Sequence, residues 1–240
     1  MPRILIITQE KGGVGKTIFA RALAEAIVDA PIIEVDASRR MIELGDRVQY
    51  FKMRADRKDI NKTGGKASRA EFDGVLNAIE KSKTSTIVDI GANTSLTFLA
   101  VLSGVVPLLV REGFEFGVCV VLTNEPGALA ATPTLLALAK PWAKALFLIE
   151  NLLHGAAIPN LSAQLTEDIT MTSFQDYKAM EPGADEYLQA GGLATIPKLD
   201  EVKLREKHLI GSSGRIIEDL TELRNDAMNA VRPAAEWLIG

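Results

Sequence analysis

A chain of 240 residues, 47% hydrophobic and 24% charged, has the balance of a soluble globular protein and is long enough to bury a core without covalent staples. Its formal net charge of −4 gives no global pull toward nucleic acid. The single cysteine, Cys119, excludes an intramolecular disulfide framework and any all-cysteine zinc or iron–sulfur site within one chain.

Residues Ile4 to Thr8 read as a buried strand, and Lys16 to Val28 as a helix of good formers directly after a glycine-rich turn. Pro31 to Val35 is a second strand. The window from Arg39 to Arg69 follows, with ten Lys/Arg against four acids, a net of +6 that leaves −10 for the remainder. It contains Gly64-Gly65 and reads as a basic insert, a long loop or partly helical. A helix is expected around Glu71–Lys81, a strand over Ser85–Ile90, and strands over Gly117–Leu122 and Ala145–Ile149. Leu96 to Val110 is the longest apolar stretch; it is too short to span a bilayer and holds Gly104 and Pro107. Thr132 and Pro133 fit the start of a helix reaching Lys140. Residues 159–191 are acidic and irregular, Gly192–Ile196 reads as a short last strand, and Ile216–Val231 as a last helix. Strands alternating with helices predict an α/β fold, a doubly wound, mostly parallel sheet flanked by helices in a single domain over 1–240.

The segment Gln9–Thr17, QEKGGVGKT, lies between the first strand and the first helix, the context a phosphate-binding loop requires. Glycines let backbone N–H groups wrap phosphates, and the helix N-terminus adds partial positive charge. Lys16 can reach the β- and γ-phosphates, and Thr17 offers a hydroxyl to Mg²⁺. Ligands of such sheets sit at the carboxyl ends of the strands, which directs attention to Glu34 and Asp36 after the second strand and to Asp89, followed by Gly91, after the third. No Asn-Lys-x-Asp or Thr-Lys-x-Asp is present, which favours ATP over GTP. His154 and His208 are far apart in a pattern that makes neither a metal ligand.

Glu10 stands where the ordinary phosphate loop has its first glycine, and Lys11 adds a second cation. In this the segment resembles the signature of the ParA/MinD family of deviant Walker A P-loop ATPases, Lys-Gly-Gly-Val-Gly-Lys-Thr. The resemblance implies nucleotide contacts from Gly12, Gly13, Val14, Gly15, Lys16, Thr17 and Ile18. It also implies a Lys11 that crosses to the partner's nucleotide in an ATP-bound homodimer. The run ending in Asp36 resembles the family's Asp-x-Asp-Pro-Gln, which makes Asp36 the residue that handles the hydrolytic water. Glu34 replaces the first aspartate and is left outside the catalytic set of Lys11, Lys16 and Asp36. Thr86–Gly91 resembles a Walker B strand, with Asp89 holding Mg²⁺ through water and Thr17 holding it directly. Asn151 and Pro197, in segments similar to the family's later motifs, are candidates to lie beside adenine.

The implied activity is a slow ATPase, weak without a hydrolysis-stimulating protein partner, serving plasmid or chromosome partition, conjugation or cellular positioning. Two alternatives stand beside it: a dethiobiotin-synthetase-like ligase, and a scaffold that holds nucleotide without hydrolysis. The basic window at 39–69 is a candidate for non-specific DNA contact in proportion to its cations. The tail Ala234–Gly240 lacks the Lys/Arg partners of an interfacial helix, so stable membrane binding is not expected. Met1 to Ile7 run straight into the motif, so no leader is expected, and with the lone cysteine this points to the cytoplasm.

Overall fold

The computed structural model describes residues 1–53, 66–161, 165, 167–174 and 180–240. Seven strands are described: β1 (Arg3–Thr8), β2 (Ile32–Asp36), β3 (Val48–Lys52), β4 (Thr86–Ile90), β5 (Glu115–Leu122), β6 (Ala145–Asn151) and β7 (Ile169–Phe174). They form one sheet in the order β3-β2-β4-β1-β5-β6-β7, and every described pair is parallel. Parallel neighbours need crossover connections; four of these are the helices α1 (Lys16–Ala26), α2 (Lys66–Glu80), α3 (Ser95–Arg111) and α4 (Pro126–Ala139), while β2 reaches β3 through the 3-10 segment Ile42–Arg47. After β7 come α5 (Ala184–Gly191), α6 (Glu201–Lys207) and the long α7 (Ile210–Ile239).

From β1 the chain moves toward the β3 edge through α1, whereas α2, α3 and α4 carry it back toward the β7 edge. Right-handed crossovers therefore put α1 on one face and the other three on the opposite one. Contacts agree: α7 packs along α1, while α3 packs against α2 and α4. This is the doubly wound parallel sheet expected from the alternation of elements. Burial on both faces explains the continuous apolar runs of the inner strands; Ile4 to Ile7 and Val118 to Leu122 are fully buried, Cys119 among them.

Several elements differ from the sequence reading. β3 falls inside the basic window and β7 inside the irregular segment. Each is an edge strand with one neighbour and mixed exposure, so neither carries the apolar run of an inner strand. The apolar stretch after β4 is the helix α3, with Gly104 and Pro107 on its exposed side. Helix α4 starts at Pro126, where a proline fits the first turn; Thr132 is a buried interior residue, not its cap. Gly192–Ile196 is not a strand: Leu193–Lys198 winds as a 3-10 turn between α5 and α6. The last helix extends well beyond Ile216–Val231 at both ends, and its tail packs on the sheet, with Leu238 buried and Trp237 under the Arg3 guanidinium at 5.5 Å. Among the described residues no helix is long and apolar enough to cross a membrane. Arg54, Arg57, Lys58 and Lys62 of the basic window lie outside the described residues.

Candidate phosphate-binding site

The site begins where β1 ends. The chain leaves Thr8, turns through Gln9–Gly15 and enters α1 at Lys16. Gly15 sits at φ 97°, a left-handed conformation that a side chain resists. A Cβ there would lie 2.8 Å from Asn151 Nδ2 and 3.2 Å from Phe174 Cζ, so the turn is also sterically reserved for glycine.

Two residues ahead of the glycines fix the loop. Gln9 is buried with its side chain fully used: Nε2 donates to Val121 O at 3.0 Å and to Thr132 Oγ1 at 3.1 Å, and Oε1 accepts from the Glu10 amide at 2.8 Å. The loop is thereby tied to β5 and to the middle of α4. Glu10 reaches the start of α3, where Oε2 accepts from the Leu96 amide at 3.1 Å, and its carbonyl accepts from Asn93 N at 2.9 Å. A carboxylate on the unpaired amides of a helix N-terminus is stabilising. The departure from glycine at Glu10 thus has a local structural use.

Lys16 is buried, and its ammonium bridges the loop, donating to Gln9 O at 3.0 Å and Lys11 O at 3.2 Å. Burial lowers its pKa, opposed by the charges of Asp89, Asp36 and Glu10. Asp89 lies in β4 level with Ile7 of β1 and Glu34 of β2, so the three share one face of the sheet. Its Oδ1 is buried without a hydrogen-bond partner. Burial pushes its carboxyl up to about 7, against the pull of Lys16 and with the push of Glu34 and Asp36. Asp36 closes β2: Oδ1 accepts from Ser38 N at 3.2 Å, Oδ2 is 3.9 Å from Arg40 Nε, and its carbonyl accepts from Tyr50 Oη at 3.0 Å. The Gly91 amide donates to Val35 O at 2.6 Å, which brings the loop after β4 against the Asp36 carboxylate.

The fold therefore gathers Lys16, at the start of α1, with Asp36 and Asp89 at the carboxyl ends of β2 and β4, with Gly12 and Gly13 exposed above and Val14 buried below. Thr17 and Ile18 follow Lys16 in the first turn of α1, both half-buried. Lys11 points outward and pairs with Glu125 of its own chain at 3.4 Å, and His154 Nε2 is 3.8 Å from the same carboxylate. Asn151 sits beneath the loop: Nδ2 donates to Val14 O at 3.1 Å and Oδ1 accepts from Leu153 N at 3.1 Å. Both ends of that amide are engaged in supporting the loop and capping the turn after β6. Pro197 is exposed in the 3-10 turn, which packs on α1 and α7. Among the described residues no group of three His, Cys, Asp or Glu is arranged to hold a metal directly. Gln9, Glu125 and Phe174 escaped the sequence reading, because their partners lie far along the chain. The one available signal was a polar glutamine at the end of an otherwise apolar run.

No family model and no curated protein matches the chain. Among solved structures it is similar to the MinD cell division protein of Aquifex aeolicus, 16% identical over 93% of this chain and 97% of that one, with a TM-score of 0.47. It is also similar to a Cyanothece McdA variant in complex with ATP, 14% identical over 93% and 96%, TM-score 0.49. A third is a putative plasmid partition protein of Borrelia burgdorferi B31 bound to AMPPNP, 14% identical over 73% and 88%, TM-score 0.40.

Proposed function

We propose that the chain is an ATP-binding, slowly hydrolysing switch of the ParA/MinD type that pairs with a second copy when ATP is bound. The observation that carries this reading is the lysine-bridged loop between β1 and α1, with Asp36 and Asp89 at the neighbouring strand ends. In this reading the β- and γ-phosphates take the loop amides, and Lys16 exchanges two carbonyl oxygens for phosphate oxygens. The orphaned Oδ1 of Asp89 fits a water of a hydrated divalent cation, so Mg²⁺ would be held by the Thr17 hydroxyl and, through water, by Asp89. When bound, Mg²⁺ supplies positive charge against the phosphate oxygens. Asp36, half-buried at the rim, orients the attacking water, and Lys11 contacts the nucleotide of the second copy. Such a switch serves partition, conjugation or cellular positioning, with a protein partner that speeds hydrolysis.

The test is a competition titration with a fluorescent ATP analogue. ATP with Mg²⁺ is expected to displace the probe and GTP to displace it poorly, while Lys16→Ala abolishes binding by removing the phosphate cation. Equal or tighter binding of GTP overturns the nucleotide assignment.

A further inference from the structure

Glu34, set aside on sequence grounds, is almost completely buried, and its two oxygens have different fates. Oε1 accepts from the Arg40 amide at 2.5 Å, and the Met41 amide also bonds to this carboxylate. The side chain thereby clamps the turn that leaves β2 after Asp36. Oε2 is buried with no partner. Directly across the sheet, at the same register, Asp89 carries the second orphaned carboxylate oxygen, Oδ1. Two buried carboxylates side by side repel each other, and each lacks a donor for one oxygen. Tyr50, level with Glu34 on the other side, offers no relief, because its hydroxyl donates to the Asp36 carbonyl. A hydrated divalent cation adds positive charge to that of Lys16 and brings the water O–H donors that the pair lacks.

We infer that Glu34 is a positioning residue that takes a second water of the cation's hydration shell beside Asp89 while holding the Arg40–Met41 turn. One side chain then links cation binding to the turn whose arginine, Arg40, stands 3.9 Å from Asp36. Glu34 touches neither phosphate nor the attacking water; it acts through the cation's shell and through Asp36. This inference rests on the Mg²⁺–nucleotide reading above.

The experiment compares the unmodified chain with Glu34→Gln and Glu34→Asp, each with ADP as the nucleotide. Glu34→Gln keeps one acceptor for the turn amides and loses the charge toward the cation. Glu34→Asp keeps the charge and shortens the reach to the turn. Mn²⁺ binding to the ADP complex is read by electron paramagnetic resonance, ADP binding in EDTA by calorimetry, and the turn by trypsin cleavage after Arg39 and Arg40. The expected result is a roughly tenfold weaker Mn²⁺ affinity in Glu34→Gln, ADP binding in EDTA unchanged, and a substantial recovery of Mn²⁺ affinity in Glu34→Asp. Trypsin cleavage is expected to slow on Mn²⁺–ADP binding in the unmodified chain and to slow less in Glu34→Gln. Unchanged Mn²⁺ affinity in Glu34→Gln with intact ADP binding makes Glu34 a clamp of the turn only. Absence of ADP binding by the unmodified chain overturns the nucleotide reading itself.

Discussion

At the residue scale, Asp89 is a buried acid that does not behave like one at the surface. Its carboxyl sits near 7, against 3.8 for an ordinary aspartate, so between those values the native chain keeps a proton that the unfolded chain has lost. Its contribution to stability is therefore complete below about pH 4 and is lost as pH climbs through 7. Glu34, also raised by burial, acts in the same direction. The melting temperature is expected to fall between pH 5 and pH 8. Asp89→Asn, which has no proton to lose, should flatten that fall by on the order of 5 °C in scanning calorimetry. A profile that Asp89→Asn leaves unchanged would show that the carboxyl is ionised throughout. Lys16 is the complementary case: buried and lowered, it is held by two loop carbonyls and by carboxylates that raise it again.

At the element scale, cations counted as one surface by sequence divide into different uses. Arg47, one of the ten in the basic window, is spent on the end of α1. Its guanidinium donates to Ala24 O at 3.0 Å, Ile27 O at 2.8 Å and Ala30 O at 3.0 Å, carbonyls in the last turn of α1 and in the segment that leaves it. Arg47→Ala should cost about 2–3 kcal/mol in urea unfolding, and Arg47→Lys should recover only a minor part, because an ammonium cannot reproduce the planar fork. If Arg47→Ala unfolds at the same urea concentration as the unmodified chain, water replaces the guanidinium at no loss. The same division explains what was legible in the sequence. Inner strands β1, β2, β4, β5 and β6 are buried on both faces and announce themselves as apolar runs, and the phosphate loop is contiguous. Asp36 and Asp89 stand out because strand ends carry the chemistry of this fold. Edge strands β3 and β7, with one neighbour each, have no such run. Helix α3, apolar on nearly every side and holding Pro107, shows no helical stripe. Gln9 and Glu10 reach partners 86 to 123 positions away, and no local pattern encodes that.

At the scale of the whole molecule, association and DNA contact are the quantities to measure. In the single chain Lys11 is paired with Glu125, so contact with a second copy's nucleotide requires it to change partner. Sedimentation with ATP and Asp36→Ala, which blocks hydrolysis under the proposed role of Asp36, should show a tighter dimer than without nucleotide, and Lys11→Ala should weaken it about tenfold; only monomers under those conditions would end the switch model. A duplex-DNA shift at low salt with the same Asp36→Ala dimer should weaken when Arg54, Arg57 and Lys58 are changed to Ala, and should fall steeply with salt, by about 0.9 log units per phosphate contact per log unit of salt. Binding that ignores those three residues removes them as DNA contacts. The strand order has a further consequence, for the chain as it is made. β1 is the central strand of the seven and precedes both of its neighbours, β4 and β5, in the chain, with Ile4 beside Thr86 and Arg3 beside Glu115. A nascent chain must therefore keep Ile4–Ile7 unpaired until β4 has left the ribosome, and open along one edge until β5 follows. At roughly 5–20 residues per second that is an exposure of several seconds, during which this apolar segment is open to chaperones and to other nascent chains.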